Sequence, residues 1–530
     1  MNTVLNSEPA TPQAPRKTSF SKRLVAKSVL SNWSYLVANV LVAFWMTPFV
    51  VHHLGNSAFG IWALVLQLTG YMGVVDVGLK SALVRFVSRF QAQNDQAGLH
   101  RLLNGIFTLT LIIAPICIAC GGVLAIFALP HMHIPPELLG SSQVTLVIGA
   151  GIMAADLVFA IFHGSLAGLS RWDKINAIWL AALGVRTALI VVALKSGFSL
   201  VTLAAIQLST NVAGFFWEVA AVRRLLPMFR PALERPERAR FQPILQHSWY
   251  SLLLGIANKI NYQVDSIVIA AFLPVDQVAF YMIGFRLIEY LREMLNSAAM
   301  IIAPLASALE AVGEDKQVGA MLVRSTKYSL IVGFVAVAGL LGLGTDFIRL
   351  WMGPSFAMPS GTVLIILALG QLASGTQFMS SHILFGLSKH RLNLVWTVIE
   401  SILNLGLSLA LVRRYGIFGV AAGTTISTAI IRGWFFPRGF LKLLNVGWGE
   451  YLRHGVMPAV APACAFFAGT YLYRSVFSVQ NYGVLFAAAL CGLILCLPAL
   501  WVLGLDPADR QLIRMKSRRF VLRTEGVAAE

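Results

Sequence analysis

Charged residues are scarce in this chain, and their scarcity excludes a soluble fold. Only 12% of the 530 residues are charged, 57% are hydrophobic and the mean hydropathy is +0.74. A soluble globular chain carries about 25% charged and roughly 45–50% apolar residues, so this chain has too little polar surface to face water on all sides. Apolar windows of about 20 residues, the length that a bilayer requires, recur along almost the whole chain. The composition therefore predicts an all-α polytopic membrane protein.

Cysteine is rare too, and it offers no disulfide framework. All five cysteines lie inside apolar windows, at Cys117, Cys120, Cys464, Cys491 and Cys496. The first two form a C-x-x-C motif, but its place within the apolar run ICIAC favours packing as small hydrophobic side chains over a redox pair. The histidines His131 and His133 lack metal-ligand spacing. We expect neither a metal nor a cofactor.

Catalytic motifs are missing from every segment that could face the cytoplasm. There is no P-loop, nucleophile elbow or zinc motif, and the longest such segment, 221–247, is too short to fold a nucleotide-hydrolysing domain. We therefore expect a protein that is not an enzyme and does not drive transport with ATP by itself. The first 28 residues contain no cleavable apolar signal, so the first span should act as the targeting signal and stay in the membrane.

The apolar windows predict fourteen membrane spans. They cover residues 29–51, 58–79, 104–128, 142–165, 176–194, 199–220, 248–271, 278–305, 327–344, 361–385, 393–412, 417–433, 455–473 and 482–504. With the N-terminus inside, and with Lys327 and Arg432 at the inner ends of their spans counted as inner, 32 of the 41 Lys and Arg residues lie on the inner side and 5 on the outer side. The positive-inside rule thus predicts a multi-pass protein of a bacterial inner membrane with both termini in the cytoplasm.

The basic residues lie in small groups between the apolar windows, which excludes a nucleic-acid partner despite the net charge of +18. Segment 221–247 carries six Arg and four Pro and divides the chain. HHLGNSAFGIWALVLQL (52–68) and AAFLPVDQVAFYMIGFRL (270–287) resemble each other, which favours two related lobes. The predicted parts are a basic tail (1–28), a six-helix lobe (29–220), a linker (221–247), a second six-helix lobe (248–445), two additional spans (446–504) and a basic cytoplasmic tail (505–530).

Span eight carries charges that lipid would not tolerate. Arg286, Glu289, Arg292 and Glu293 lie near its middle, where each costs roughly 2.5–3.5 kcal/mol on insertion. Arg286, Glu289, Tyr290, Glu293 and Asn296 fall on one helical stripe. Glu289 can neutralise the arginines three residues away on either side, or the stripe can line a transport pathway, and both interpretations can hold together.

Span seven is polar on two faces, so we expect protein and water around it. Lys259, Tyr262 and Gln263 share one face, while Asn258, Asn261 and Asp265 lie roughly opposite. Elsewhere, Arg186 and Asp156 lie at similar depth in neighbouring spans and are a candidate structural ion pair. Glu400 lacks an obvious local partner. Asp265 and Glu400 are therefore the candidates for ion coupling.

One segment carries a family resemblance. LGNSAFGIWALVLQLTGYMGVVDVGLKSALVRFVSRF (54–90) resembles helix two of the polysaccharide-transport family, which includes Wzx-type O-antigen flippases. The matching features are Leu54-Gly55, Phe59-Gly60, Trp62, Tyr71, Asp76-Val77-Gly78, Arg85 and Arg89. The second half opens in a similar way after span seven. Sequence-specific likeness is confined to these two regions, while the span pattern extends it over most of the chain.

The resemblance implies a carrier of the multidrug/oligosaccharidyl-lipid/polysaccharide exporter superfamily, with two six-helix lobes. Such carriers move undecaprenyl-diphosphate-linked oligosaccharides to the periplasmic leaflet and line their cavity with cations. By position, Arg186, Lys259 and Arg286 match that role, and Tyr262, Gln263 and Glu289 complete the candidate substrate site. A monomer is implied, with membrane lipid around it and the polymerase and glycosyltransferases of one glycan pathway as partners.

Two other functions stay open at this point. A cation-coupled drug exporter of the same fold would need a net acidic cavity centred on a carboxylate of the first lobe. A membrane-embedded glycosyltransferase or ligase would need a large outer loop with acidic, Arg or His groups, and the longest outer loops here are roughly 15 residues. The glycan, the driving ion and the polymer pathway are left open.

Overall fold

The structure is a computed structural model that describes residues 22–227, 229, 231–234, 238–389, 391–511 and 514–515. Within these ranges every regular element is a helix. The α-helices are α1 (Lys22–Met72), α2 (Val74–Gln93), α3 (Gln96–Val123), α4 (Pro136–Gly168), α5 (Trp172–Lys195), α6 (Leu200–Leu225), α7 (Arg238–Phe272), α8 (Asp276–Ala299), α9 (Ile302–Ala311), α10 (Asp315–Met352), α11 (Pro354–Ser374), α12 (Gln377–Gly386), α13 (Arg391–Ile430), α14 (Phe436–Leu443), α15 (Trp448–Glu450), α16 (Met457–Val476) and α17 (Tyr482–Ala499).

Eleven helical stretches of the described residues are long and apolar enough to cross a membrane. Arg391–Leu443 contains two of the predicted spans, and Leu30–Tyr71 covers nearly all of the first predicted span and most of the second. Helix α7 is not among the eleven; it corresponds to predicted span seven, whose two polar faces lower its apolar content. The all-α polytopic class is confirmed, and the chain is a multi-pass membrane protein. The number of fourteen spans stays a prediction.

Glycines break the two longest helices where the sequence predicts turns. In α1, Gly55 has φ 82° and ψ 167°, and in α13, Gly416 has φ 59° and ψ −140°. Both φ angles lie in the region where a side chain is strained, so glycine permits the break at little cost. Each break separates two predicted spans without an intervening loop.

The chain divides into two compact units. The first comprises the described parts of Met1–Phe49, Met72–Ala125 and Gln143–Leu252, and the second those of Val50–Tyr71, Ile126–Ser142 and Leu253–Glu530. Two short segments that the sequence assigned to the first lobe, Val50–Tyr71 and Ile126–Ser142, therefore belong to the second unit.

Close backbone contacts explain why Val50–Tyr71 joins the second unit. A Cβ on Gly60 would lie 2.2 Å from the carbonyl oxygen of Val275, so only glycine allows this approach. Tyr71 Oη also donates a hydrogen bond of 3.1 Å to the carbonyl of Lys259. The two segments that resemble each other in sequence thus pack against each other.

The core of the first unit forms where α4 meets α2. A Cβ on Gly164 would lie 2.6 Å from the Cβ of Leu83, and one on Gly168 would lie 2.6 Å from the Cβ of Val87. Leu83 and Val87 are fully buried. Small residues one turn apart let membrane helices approach closely, and here they bring α2 against α4.

In the second unit, the segment after α17 is anchored to α10 by a buried ammonium. The side chain of Lys327 is 2% exposed, and its Nζ lies 2.7 Å from Asp506 Oδ2 and 2.6 Å from Asp509 Oδ2. Tyr328 Oη donates a hydrogen bond of 2.6 Å to Asp509. Burial alone would raise the pKa of the Asp509 carboxyl, but the hydrogen bonds from Lys327 and Tyr328 outweigh it and hold the pKa at about 2, below its ordinary value of 3.8.

Removing the Asp509 charge should destabilise the folded protein at neutral pH. Since the folded-state pKa is depressed, this carboxylate stabilises the fold above about pH 4, and the stabilisation is lost as the pH falls from about 4 towards 2. Asp509→Asn should cost about 2 kcal/mol at pH 7, because it weakens the pairing of a buried Lys327. The measurement is the thermal unfolding of purified protein between pH 3 and 7.

Asp506→Asn is the matched control, because the Asp506 side chain is 57% exposed and binds the same ammonium. It should cost less than about 1 kcal/mol. Equal losses for the two variants would contradict the assignment of Asp509 as the main anchor.

Candidate functional site

The predicted stripe on α8 forms an accessible ion pair. Arg286 Nη1 lies 2.5 Å from Glu289 Oε2, and the two side chains are 41% and 32% exposed. Glu293, one turn further along, is exposed. Of the two arginines expected to pair with Glu289, Arg286 forms the ion pair and remains accessible to a ligand, whereas Arg292 stacks on Tyr262.

Helix α7 adds one cation, Lys259, and one aromatic ring, Tyr262, to this stripe. The guanidinium of Arg292 lies over the Tyr262 ring, 3.3 Å from the ring centroid, and Lys259 interacts electrostatically with Glu289. Gln263 Oε1 is buried and accepts no hydrogen bond within the described part of the chain. We call Lys259, Tyr262, Gln263, Arg286, Glu289 and Arg292 the α7–α8 cluster.

Gly70 of α1 makes room for the α7 side chains. A Cβ at Gly70 would lie 2.9 Å from Gln263 Oε1 and 3.3 Å from Lys259 Nζ. Five of the six candidate substrate residues thus lie together in the second unit. Lys259, Arg286 and Arg292 carry three positive charges here, against the carboxylates of Glu289 and of the neighbouring Glu293, so one positive charge is in excess. This arrangement suits an anion with several oxygen atoms.

The sixth candidate, Arg186, lies on α5 in the first unit. Its Nε donates a hydrogen bond of 3.0 Å to Thr210, and its Nη2 donates one to Asn211. Both partners are neutral side chains of α6. The ion pair with Asp156 stays a prediction.

Asp156 lines a cavity of about 290 Å³ in the first unit. Its lining is aromatic and polar, and includes Tyr35, Lys80, Asp156, His163, Trp172, Asn176 and Trp179. A carboxylate and an ammonium therefore share one cavity with five large aromatic side chains, since Phe159 and Phe215 line it too. The sequence singled out only Asp156 among them as part of a candidate pair.

A buried carboxylate lies beside this cavity. Glu218 on α6 is 0% exposed, and its Oε1 lies 3.0 Å from His163 Nδ1 and 2.9 Å from Trp179 Nε1. Its Oε2 has no hydrogen-bond partner among the described residues. Glu218 lies near the end of predicted span six (199–220) and is not among the site residues predicted from the sequence. His163, Trp179 and Glu218 lie on α4, α5 and α6, so no local sequence pattern could reveal that they meet.

Asp265 on α7 is the centre of a second buried polar group. Tyr281 Oη donates a hydrogen bond to Asp265 Oδ2, and Thr424 Oγ1 lies 2.9 Å from the same oxygen. Asn404 Oδ1 lies 3.1 Å from Thr424 Oγ1. Asp265 Oδ1 is buried without a hydrogen bond, and within the described ranges no Lys or Arg forms an ion pair with it. The arrangement leaves an acceptor oxygen for a small cation or a proton.

The expectation that Glu400 has no local partner is wrong. Arg432 Nε lies 2.6 Å from Glu400 Oε2, and both side chains are 2% exposed. Thr428 donates a hydrogen bond of 3.1 Å to the other carboxylate oxygen. Arg432 also donates hydrogen bonds to Asn393 and Thr397. Arg432 lies inside predicted span twelve (417–433), 32 residues from Glu400, so the sequence pattern did not link the two side chains. A role for Glu400 in ion coupling stays a prediction.

The sequence matches a protein family and individual relatives. A family model described as "Polysaccharide biosynthesis protein" matches residues 25–310, more than half of the chain. The chain is similar to the probable low-salt glycan biosynthesis flippase Agl15 of Haloferax volcanii, with 24% identity over 76% of this chain and 81% of that protein. It is also similar to a candidate O-antigen transporter of Shigella flexneri, with 21% identity over 78% of this chain and 98% of that protein.

Among solved structures, the inward closed conformation of the lipid II flippase MurJ matches with a TM-score of 0.71. The match covers 93% of this chain and 100% of that chain at 15% sequence identity. At that identity the likeness establishes the fold, which is that of a polytopic transporter.

Proposed function

The chain belongs to the polysaccharide biosynthesis protein family, and on this premise we propose that it is a flippase for a lipid-linked oligosaccharide. The substrate would be a glycan on undecaprenyl diphosphate, carried from the cytoplasmic to the periplasmic leaflet of a bacterial inner membrane by alternating access. Its product would serve lipopolysaccharide, capsule or exopolysaccharide synthesis. Both termini would lie in the cytoplasm.

The observation that carries this proposal is the excess of cations in the α7–α8 cluster. A diphosphate offers several oxygens to Lys259, Arg286 and Arg292, whose three charges are only partly balanced by Glu289 and Glu293. Charge-assisted hydrogen bonds to phosphate are strong, and a low-dielectric surrounding strengthens them further. The half-buried stack of Arg292 on Tyr262 adds an aromatic surface suited to a sugar ring.

The lipid tail needs no binding pocket of its own, because it can stay in the bilayer while the headgroup crosses. Such transport forms and breaks no covalent bond, so it requires no nucleophile or general base. This agrees with the lack of catalytic motifs in the sequence, and we propose that the protein is not an enzyme.

A direct test uses the purified protein in liposomes with a fluorescent undecaprenyl-diphosphate disaccharide. We expect the protein to move labelled lipid out of the outer leaflet. The measurement is the fraction of fluorescence that dithionite, which does not cross the membrane, can quench. Liposomes with the same protein should not accumulate ethidium, which a drug exporter of this fold would transport. Ethidium transport without glycan movement would overturn the proposal in favour of drug export.

We propose that transport is coupled to an ion gradient through Asp265, the buried carboxylate with a free acceptor oxygen. Asp265→Asn should abolish the dependence of glycan movement on a sodium or proton gradient, because the neutral amide cannot exchange a cation or a proton. Tyr281→Phe is the control, since it removes a hydrogen-bond donor and keeps the carboxylate; it should retain the dependence. Equal rates with and without any gradient in the unmodified protein would contradict coupling.

A further inference from the structure

A groove runs along the outer faces of α5 and α6 in the first unit. Its volume is about 370 Å³. Ala177 and Ala181, one turn apart on α5, and Ala220 on α6 form exposed parts of its wall. Because alanine side chains are small, they leave an open slot between the two helices.

Two cations close one end of this slot. Lys174 lies in the first turn of α5 and Arg224 in the last turn of α6, and both line the groove. Within the described residues, neither side chain has a hydrogen bond or an ion pair. Further in, Trp217 borders the groove with 59% of its side chain exposed. The groove is thus apolar along its length and cationic at its mouth.

The chemistry of the groove selects its occupant. A soluble anion would satisfy Lys174 and Arg224 but leave the apolar slot empty, and a zwitterionic lipid would fill the slot with less charge complementarity. An anionic lipid satisfies both parts at once, and basic sites between membrane helices at the cytoplasmic surface bind such lipids. The positive-inside distribution places this end of α5 and α6 in the cytoplasmic leaflet.

We propose that the α5–α6 groove binds one anionic glycerophospholipid of the cytoplasmic leaflet. An acyl chain lies between Ala177, Ala181 and Ala220, and the phosphate is bound by Lys174 and Arg224. This lipid is a resident partner, distinct from any transported substrate, and the proposal holds whether or not the protein is a flippase.

Native mass spectrometry of the purified full chain tests the proposal without a transport assay. The detergent-solubilised protein is titrated with phosphatidylglycerol, with phosphatidylcholine, and with glycerol phosphate as the headgroup without acyl chains. Phosphatidylglycerol should be retained at least tenfold more than phosphatidylcholine, and glycerol phosphate should not be retained. Equal retention of the two lipids, or retention of glycerol phosphate, would overturn the proposal in favour of a general lipid surface or a soluble-anion site.

Two variants locate the lipid. Lys174→Gln/Arg224→Gln should lower phosphatidylglycerol retention roughly 10- to 30-fold, as expected for the loss of two cations near a lipid phosphate. The matched control, Lys195→Gln/Arg223→Gln, removes two exposed cations from the same helices outside the groove and should change retention less than twofold. Ala181→Trp keeps every charge, fills the slot and should also abolish retention. An equal loss in the control, or full retention in Ala181→Trp, would place the lipid elsewhere.

Discussion

Neutralising Lys259 or Arg286 is expected to lower glycan export at least tenfold while leaving the amount of membrane-inserted protein near normal. Both side chains interact with Glu289 in the α7–α8 cluster, and each should contact the diphosphate of the substrate. One lost charge-assisted hydrogen bond corresponds to about 1.5–3 kcal/mol, or more than tenfold in binding. The measurement is surface glycan in cells that depend on each variant, together with the protein content of their membranes.

Conservative exchanges separate charge from shape. Arg286→Lys and Lys259→Arg should retain more export than the glutamine variants if a positive charge suffices, and Arg286→Lys should fail if a bidentate fork is required. Glu310→Gln is the control, because it removes an exposed carboxylate from α9, outside the stripe, and should not lower export. If the glutamine variants export normally, the cluster does not bind the substrate.

Arg186 requires a different control, since its guanidinium binds Thr210 and Asn211. Arg186→Gln can lower export through the substrate or through the fold. If Asp156→Asn/Arg186→Gln restores both folded protein and export, the pair is structural. Restored folding without export would keep Arg186 at the substrate.

Arg432→Met should be the most destabilising substitution in the second unit. Glu400 and Arg432 are both 2% exposed, and removing one partner of a buried ion pair costs about 3–5 kcal/mol because the other charge is left unpaired. The variant should therefore lose most of its folded protein, measured as the monodisperse fraction of a fluorescent fusion in size-exclusion chromatography. Glu400→Met/Arg432→Met should recover much of that fraction, since two apolar side chains replace the pair.

The double variant also decides the role predicted for Glu400. A folded double variant that still exports glycan under an ion gradient would make the pair purely structural. Loss of gradient dependence in a folded double variant would establish Glu400 as a coupling group beside Asp265. Equal folding of Arg432→Met and the unmodified protein would contradict the buried ion pair itself.

The sequence alone determined the features that depend on near neighbours along the chain. Apolar windows revealed the membrane spans, and Leu54-Gly55 marked the break in α1, because these signals lie within one helix or one turn. The spacing of Arg286 and Glu289 likewise predicted their ion pair, since residues three apart share a helix face. The α7 face of Lys259, Tyr262 and Gln263 was found for the same reason.

Only the tertiary structure decided which distant side chains meet. Glu400 and Arg432 are 32 residues apart, and Asp265 and Thr424 are 159 residues apart. Glu218 receives its partners from two other helices, 39 and 55 residues away. Helical periodicity specifies which face a residue occupies but not which helix covers that face, and the free energy of burying a charge depends on that covering helix. Glu400 therefore looked unpaired in the sequence and is paired in the fold.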